Sequence, residues 1–131
     1  MTGPYDAVFI KSVLYHIAER EVYRRWLDWL HGVVRKDGVV IAVENGKGGA
    51  IDRFYRGIVK KSRWADFLLF DAWTEKELGL RFRSVDIEYF GRLSQFFTRI
   101  PAVCKGVQSL EKRLWAPGAG NCFVASIVAQ K

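Results

Sequence analysis

Tyr5-Asp-Ala-Val-Phe-Ile-Lys-Ser-Val-Leu-Tyr-His-Ile17, followed after a helical segment by Arg35-Lys-Asp-Gly-Val-Val-Ile-Ala-Val-Glu-Asn45, is the stretch that decides the fold. Asp6 to Ser12 is mostly apolar and alternates poorly, which suits a strand buried on both faces, as in a parallel sheet. Glu19 to Lys36 places Val22, Trp26, Leu27, Leu30, Val33 and Val34 at helical spacing, with Arg20, Arg24, Arg25 and Asp28 on the other side. Asp37-Gly38 ends that helix, glycine being the natural residue for a left-handed turn. Val39 to Val43 is an apolar run rich in β-branched residues, a second buried strand. The unit is strand, helix, strand.

Further along, Gly46-Lys-Gly-Gly49 reads as a loop, and Ile51, Phe54, Tyr55, Ile58 and Val59 mark a second amphipathic helix. Thr74-Glu-Lys-Glu77 has the form of a capping box, which starts a short helix at Thr74 that stops near Gly79. Arg81 to Phe90 has strand composition. Pro101 fits the first turn of a third long helix, with Val103, Val107, Leu110 and Leu114 on its buried face. Pro117-Gly-Ala-Gly120 breaks it, and Asn121 to Ala129 is a last β-branched strand. The order β-α-β-α-α-β-α-β makes an α/β sheet joined by helices, in a single domain over residues 1–131.

Composition narrows the class. Half the 131 residues are apolar and 15% are aromatic, so the chain buries a core. No apolar run approaches the roughly 20 residues that span a bilayer, and the N-terminus has no basic region followed by an apolar stretch. The expectation is an intracellular, cytoplasmic domain without membrane contact. Cys104 and Cys122 lack metal-ligand spacing and are expected reduced. Scarce Asn and Gln beside many charges lean towards a protein that works hot, where a Cys104–Cys122 bridge becomes thinkable.

The order and spacing of these elements resemble a class I (Rossmann-like) S-adenosylmethionine-dependent methyltransferase. There a strand of the type D-x-V-x-x-x-x-V-L-x-H-I precedes a helix and then an L-x-x-x-L-K-P-G-G strand that ends in an acid. Asp6, Val8, Val13, Leu14, His16 and Ile17 match the first pattern, and Lys36, Gly38 and Glu44 follow the second. The family's closing feature is an antiparallel last strand inserted between its two predecessors, and Ile127-Val-Ala-Gln-Lys131 resembles its end. Only four residues precede Tyr5, which leaves no room for the Gly-rich cofactor loop and the ribose-binding acid of the family's first half. The resemblance therefore implies a C-terminal half: a partial methyltransferase sheet, mostly parallel, with the N-terminal cofactor-binding half missing. It implies a methyltransferase-like protein that is inactive alone or part of a split or truncated enzyme. The alternative is an oligomerisation or nucleic-acid-binding module derived from one.

The same resemblance places the methionine end of S-adenosylmethionine against Lys11, Ser12, Val13 and Leu14, since ligands of open α/β sheets bind beyond the carboxyl ends of the strands. It places His16, Glu44 and Asn45 on the side of the methyl acceptor. Two readings of His16 stand, an acceptor contact or a buttress for the following helix. Glu44 likewise either orients an acceptor or pairs with a nearby cation. Asn45-Gly-Lys-Gly-Gly49 follows a strand and opens a helix, the setting of a cofactor loop. It is set aside because no strand-end acid follows at the required distance.

The formal net charge is +7, and Lys47 to Arg63 concentrates much of it, with Arg53, Arg56, Lys60 and Lys61 as candidate phosphate contacts for nucleic acid. No cluster has metal-ligand spacing, and no catalytic residue is identified. With no strand beyond it, the Asp6–Ile10 strand is expected to form an exposed apolar edge. It would pair in a homodimer or with a partner supplying the missing half.

Overall fold

The structure, a computed structural model, describes residues 4–17, 19–48, 54, 69–91, 97, 99–114, 118–119, 121–122 and 124–131. Four strands make one sheet: β1 (Tyr5–Lys11), β2 (Val34–Asn45), β3 (Ser84–Phe90) and β4 (Val124–Gln130). The named helices are α1 (Arg20–Val33), α2 (Ala72–Gly79) and α3 (Pro101–Leu114), with a one-turn 3-10 helix at Leu14–His16. Of the helix expected from Ile51 to Val59, Phe54 alone is among the described residues, in helical backbone and 70% exposed; Arg53, Arg56, Lys60 and Lys61 lie outside them.

The spatial order is β1-β2-β4-β3. β1 runs parallel to β2, as a strand–helix–strand crossover requires. β4 is antiparallel to both β2 and β3, so the last strand is inserted between two that run its opposite way. The fold is α/β, with a mixed four-stranded sheet whose last strand is inserted antiparallel, as the resemblance implied.

One face of the sheet carries the core. The pleat puts Val40 and Ala42 of β2 and Ala125, Ile127 and Ala129 of β4 on the same side, all buried. Tyr23, Leu27 and Leu30 of α1, together with Val34, complete that core. These four recur at i, i+4, i+7 and i+11, one position round the helix from part of the stripe expected at Val22, Trp26 and Val33. Trp26 is 38% exposed. The periodicity is ambiguous because α1 is apolar on two adjacent flanks, and only packing against the sheet separates them.

α1 is also shorter than expected, and β2 longer. Val34 has extended backbone and pairs with Tyr5, so the strand begins where the helix was expected to continue. At the turn, Asp37 and not Gly38 has the left-handed backbone, with φ 64°. Gly38 is needed for space: a Cβ there would stand 2.6 Å from Val34 Cγ1 and 2.9 Å from the Asp6 carbonyl oxygen.

α2 begins earlier than expected. Its N-cap is Asp71, whose carboxylate accepts from the Trp73 and Thr74 amides at 3.0 and 3.2 Å. The Thr74 hydroxyl answers by accepting from the Asp71 amide at 2.8 Å. The capping box is thus Asp71–Thr74, and Thr74 is its third helical residue. In α3 Val107 alone of the expected buried face is partly covered. Val103, Leu110 and Leu114 are exposed, and Cys104 and Glu111 share the covered side with Val107.

Candidate functional site

β1, β2 and the N-termini of α1 and α2 meet at the carboxyl end of the parallel pair. β1 ends in a sharp bend, with Ser12 in the left-handed region at φ 53° and its amide donating to the Val43 carbonyl at 2.8 Å. The chain then makes the single turn from Leu14 to His16, where the His16 amide donates to the Val13 carbonyl at 3.2 Å.

Glu44 holds this bend. Its carboxylate is 2% exposed and accepts from the amides of both Val13 and Leu14 at 3.2 Å. A strained residue and two amides that would otherwise be orphaned are fixed by one buried acid. Leu14 is buried beneath, Val13 is 38% exposed, and His16 is exposed on the turn. Asn45 is half-buried, and its backbone carbonyl accepts from the Phe70 amide at 2.9 Å.

Tyr23 lies under the same end of the sheet. Burial, then the negative charges of Glu44, Asp71 and Glu77, raise its phenol well above the ordinary range, so it is a neutral hydrogen-bonding group at any working pH. Above it, Trp73 packs on Tyr23 at 5.6 Å between ring centroids, and the Arg20 guanidinium stacks on the other ring at 4.8 Å. Lys47 reaches Asp71 at 3.7 Å. The Gly46–Gly48 segment is held by its neighbours, with the Lys47 amide donating to the Phe70 carbonyl at 3.1 Å and the Gly48 amide to the Cys122 carbonyl at 2.8 Å. Gly46 makes a parallel bridge to Phe70, and a Cβ on it would drive into the Cys122 carbonyl and sulfur.

Lys11, Ser12, Val13, Leu14, His16, Glu44 and Asn45 thus fall at one end of the sheet, where the chain order carries them. Tyr23, Asp71 and Trp73 were not singled out. Their signals are faint: a tyrosine one step off the stripe read as core, and an Asp-x-x-Thr cap read one turn late. Among the described residues no group of His, Cys, Asp and Glu has the makings of a metal site. No helix among them is long and apolar enough to cross a membrane. Neither cysteine forms a disulfide.

What such an end can do is bind an elongated polar ligand through backbone. The Val13 and Leu14 amides are spent on Glu44. The donor Ser12 amide is spent on Val43, and that bond fixes the strand's alternation. Val8, Ile10 and Ser12 bond towards β2, while the amides and carbonyls of Ala7, Phe9 and Lys11 point to the open side. The Lys11 carbonyl is an acceptor suited to an ammonium group. The described residues offer no matching acid for a ribose and no glycine-rich turn for a carboxylate. The described residues therefore carry groups suited to one end of an elongated polar ligand.

No protein-family model matches the sequence, and no curated protein matches it. Solved structures do. A SAM-dependent methyltransferase from Archaeoglobus fulgidus superposes with a TM-score of 0.64 at 15% identity, over 98% of this chain and 61% of that one. Phosphoethanolamine N-methyltransferase 2 of Haemonchus contortus, with S-adenosyl-L-methionine bound, gives 0.55 at 14% identity. The same enzyme with phosphomonomethylethanolamine and S-adenosylhomocysteine gives 0.53 at 15%. This chain covers a third of the nematode enzyme, 33% in each case. At these identities the likeness is one of fold: the chain has a SAM-dependent methyltransferase-like fold.

Proposed function

We propose that this chain is a methyltransferase-like protein corresponding to the C-terminal half of the class I fold, and that its β1–α1 bend takes the methionine end of S-adenosylmethionine. The observation that carries the reading is the Glu44 anchor. A buried acid at the end of β2 fixes the backbone of Ser12–Leu14 at the carboxyl end of the strands, the end at which open α/β sheets in general bind ligands. In this reading the Lys11 carbonyl accepts from the cofactor's ammonium, and Val13 and Leu14 supply apolar contact. His16 and Asn45 stand towards the methyl acceptor. Glu44 positions the bend and does not touch the reacting atoms.

The bound cofactor would supply an electrophilic methyl group, and the protein's part is to align donor and acceptor. No general base is required for that alignment. The ribose and carboxylate ends need groups from another polypeptide segment, so the chain alone is inactive and binds the cofactor weakly. Calorimetric titration with S-adenosylmethionine tests this. The expected dissociation constant is weaker than about 10 μM, roughly −7 kcal/mol, and tighter binding would contradict it.

The +7 charge favours a second reading, in which Arg53, Arg56, Lys60 and Lys61 contact nucleic acid. RNA affinity would then fall steeply with salt, and changing all four to Ser would flatten the slope. Equal slopes for the two proteins would leave the run as a solvated face.

A further inference from the structure

Two features that no described residue partners lie on the same flank of the molecule. The first is the outer edge of β1, which among the described residues pairs with β2 alone. Its outward amides and carbonyls belong to Ala7, Phe9 and Lys11. Such an edge is a template for another strand, and it has no proline or bulge along Ala7–Lys11 to block pairing.

The second feature is a stripe on α1. Helix α1 turns Arg20, Arg24, Asp28 and His31 towards Trp73, Glu77, Arg81 and Phe82, on the β3 side. Its core face is Tyr23, Leu27 and Leu30. At 100° per residue, the residues one position before the core face point away from α2, towards β1. These are Val22, Trp26 and Trp29, with Val33 continuing the row. Trp26 and Trp29 pack edge to face at 5.1 Å and are 38% and 42% exposed. Burial of the sheet fades in the same direction: Val40 and Ala42 are buried, while Val8 and Ile10 of β1 are only partly covered.

We propose that this flank is the interface of a two-fold dimer, with the two β1 strands antiparallel and the two α1 stripes meeting above them. A dyad perpendicular to the sheet keeps both α1 helices on one face, so each feature meets its own copy, as an isologous interface requires. The outward residues of β1 pair with one another in the register centred on Phe9. Phe9 then faces the partner's Phe9, and Lys11 faces Ala7, whose amide takes one of the two lone pairs of the Lys11 carbonyl and leaves the other for the cofactor contact of the proposed function. Ser12 faces Asp6, so no like charges oppose. Phe9 is 64% exposed and lies on the face opposite α1, so apolar groups close both sides of the joint.

The helices lie over β2. With strands ~4.8 Å apart, their axes stand about 14 Å apart across the dyad. That is wider than the ~8–10 Å of close-packed helices, and tryptophan is the side chain that spans it. From their exposures, Phe9, Trp26 and Trp29 offer on the order of 300 Å² per chain. That is a large share of the roughly 800 Å² per partner in a stable interface.

Light scattering coupled to size exclusion, from micromolar concentration upwards, tests the proposal on three proteins. The parent should have the mass of two chains. Phe9→Pro removes an outward amide and the aromatic contact without touching the bonds to β2, and should have the mass of one. So should a Trp26→Lys/Trp29→Lys double variant, whose far-UV circular dichroism should match the parent because both positions are surface. If Phe9→Pro does not fold, the double variant decides. A parent of one-chain mass at every concentration overturns the proposal, and so does a dimer that survives either folded variant.

Discussion

Glu44 is the residue on which the candidate site depends most. Removing its carboxylate orphans two amides at a strained bend, each worth about 1–3 kcal/mol when buried unsatisfied. Glu44→Ala should therefore cost about 2–4 kcal/mol in urea unfolding, and an unchanged midpoint would show that the bend holds itself. Position and type were legible here, an acid at the end of an apolar strand. Orientation was not, because the bonds depend on the left-handed backbone of Ser12 thirty-odd positions away in the chain. The turn at Asp37-Gly38 teaches the same point. Both residues announce a turn, but only the closeness of Val34 and the Asp6 carbonyl shows that glycine is wanted for space. Relieving the positive φ, Asp37→Gly should stabilise by up to about 1 kcal/mol, measured as a rise in midpoint. The cysteines divide by surroundings. Burial pushes the Cys122 thiol up to about 11, while Cys104 is half-exposed on α3. At pH 8 a thiol reagent should label Cys104 alone in the folded chain, and equal labelling would place Cys122 nearer solvent.

Between elements, the joint of α1 and α2 is ionic. The Glu77 carboxylate is nearly buried and takes the Arg24 guanidinium in two bonds, at 3.1 and 3.2 Å, and Arg81 at 2.7 Å. Arg81 also bridges to Asp28 at 2.6 Å. The bond from Arg24 is the main reason that Glu77 stays ionised below the usual carboxylate range. A carboxylate whose folded value is lowered stabilises the protein above its unfolded value, about 4.3. That contribution disappears as pH falls through the folded value. Stability should therefore drop between about pH 4.5 and lower values, and Glu77→Gln should lose most of that dependence while being less stable at pH 7. A variant that keeps the parent's acid slope would move the effect to other carboxylates. Leu30→Ala should cost about 2–5 kcal/mol as a core cavity, whereas Trp26→Ala should cost far less in the monomer. Helix existence was legible throughout α1, α2 and α3, but helix phase was not. An amphipathic pattern says that some flank is buried. Which one depends on what packs there, and in α1 and α3 the apolar set is wider than the covered stripe.

At the scale of the molecule, the sheet was the most legible part. Apolar strands bracketing a helix require a parallel pair, and the inserted antiparallel β4 is what the family resemblance implied. The consequence is that the bend at Lys11–Leu14 sits at the end of an edge strand, with a wall on the β2 side and none described beyond β1. An end of that kind should hold one part of a cofactor and hold it loosely. Titration of ¹⁵N-labelled protein with S-adenosylmethionine, followed amide by amide, tests this most directly. The account predicts shifts concentrated at Lys11, Ser12, Val13, Leu14 and His16, without saturation at about 10 μM, the scale of roughly −7 kcal/mol. Shifts that leave those five amides unmoved, or saturation below that concentration, would contradict it.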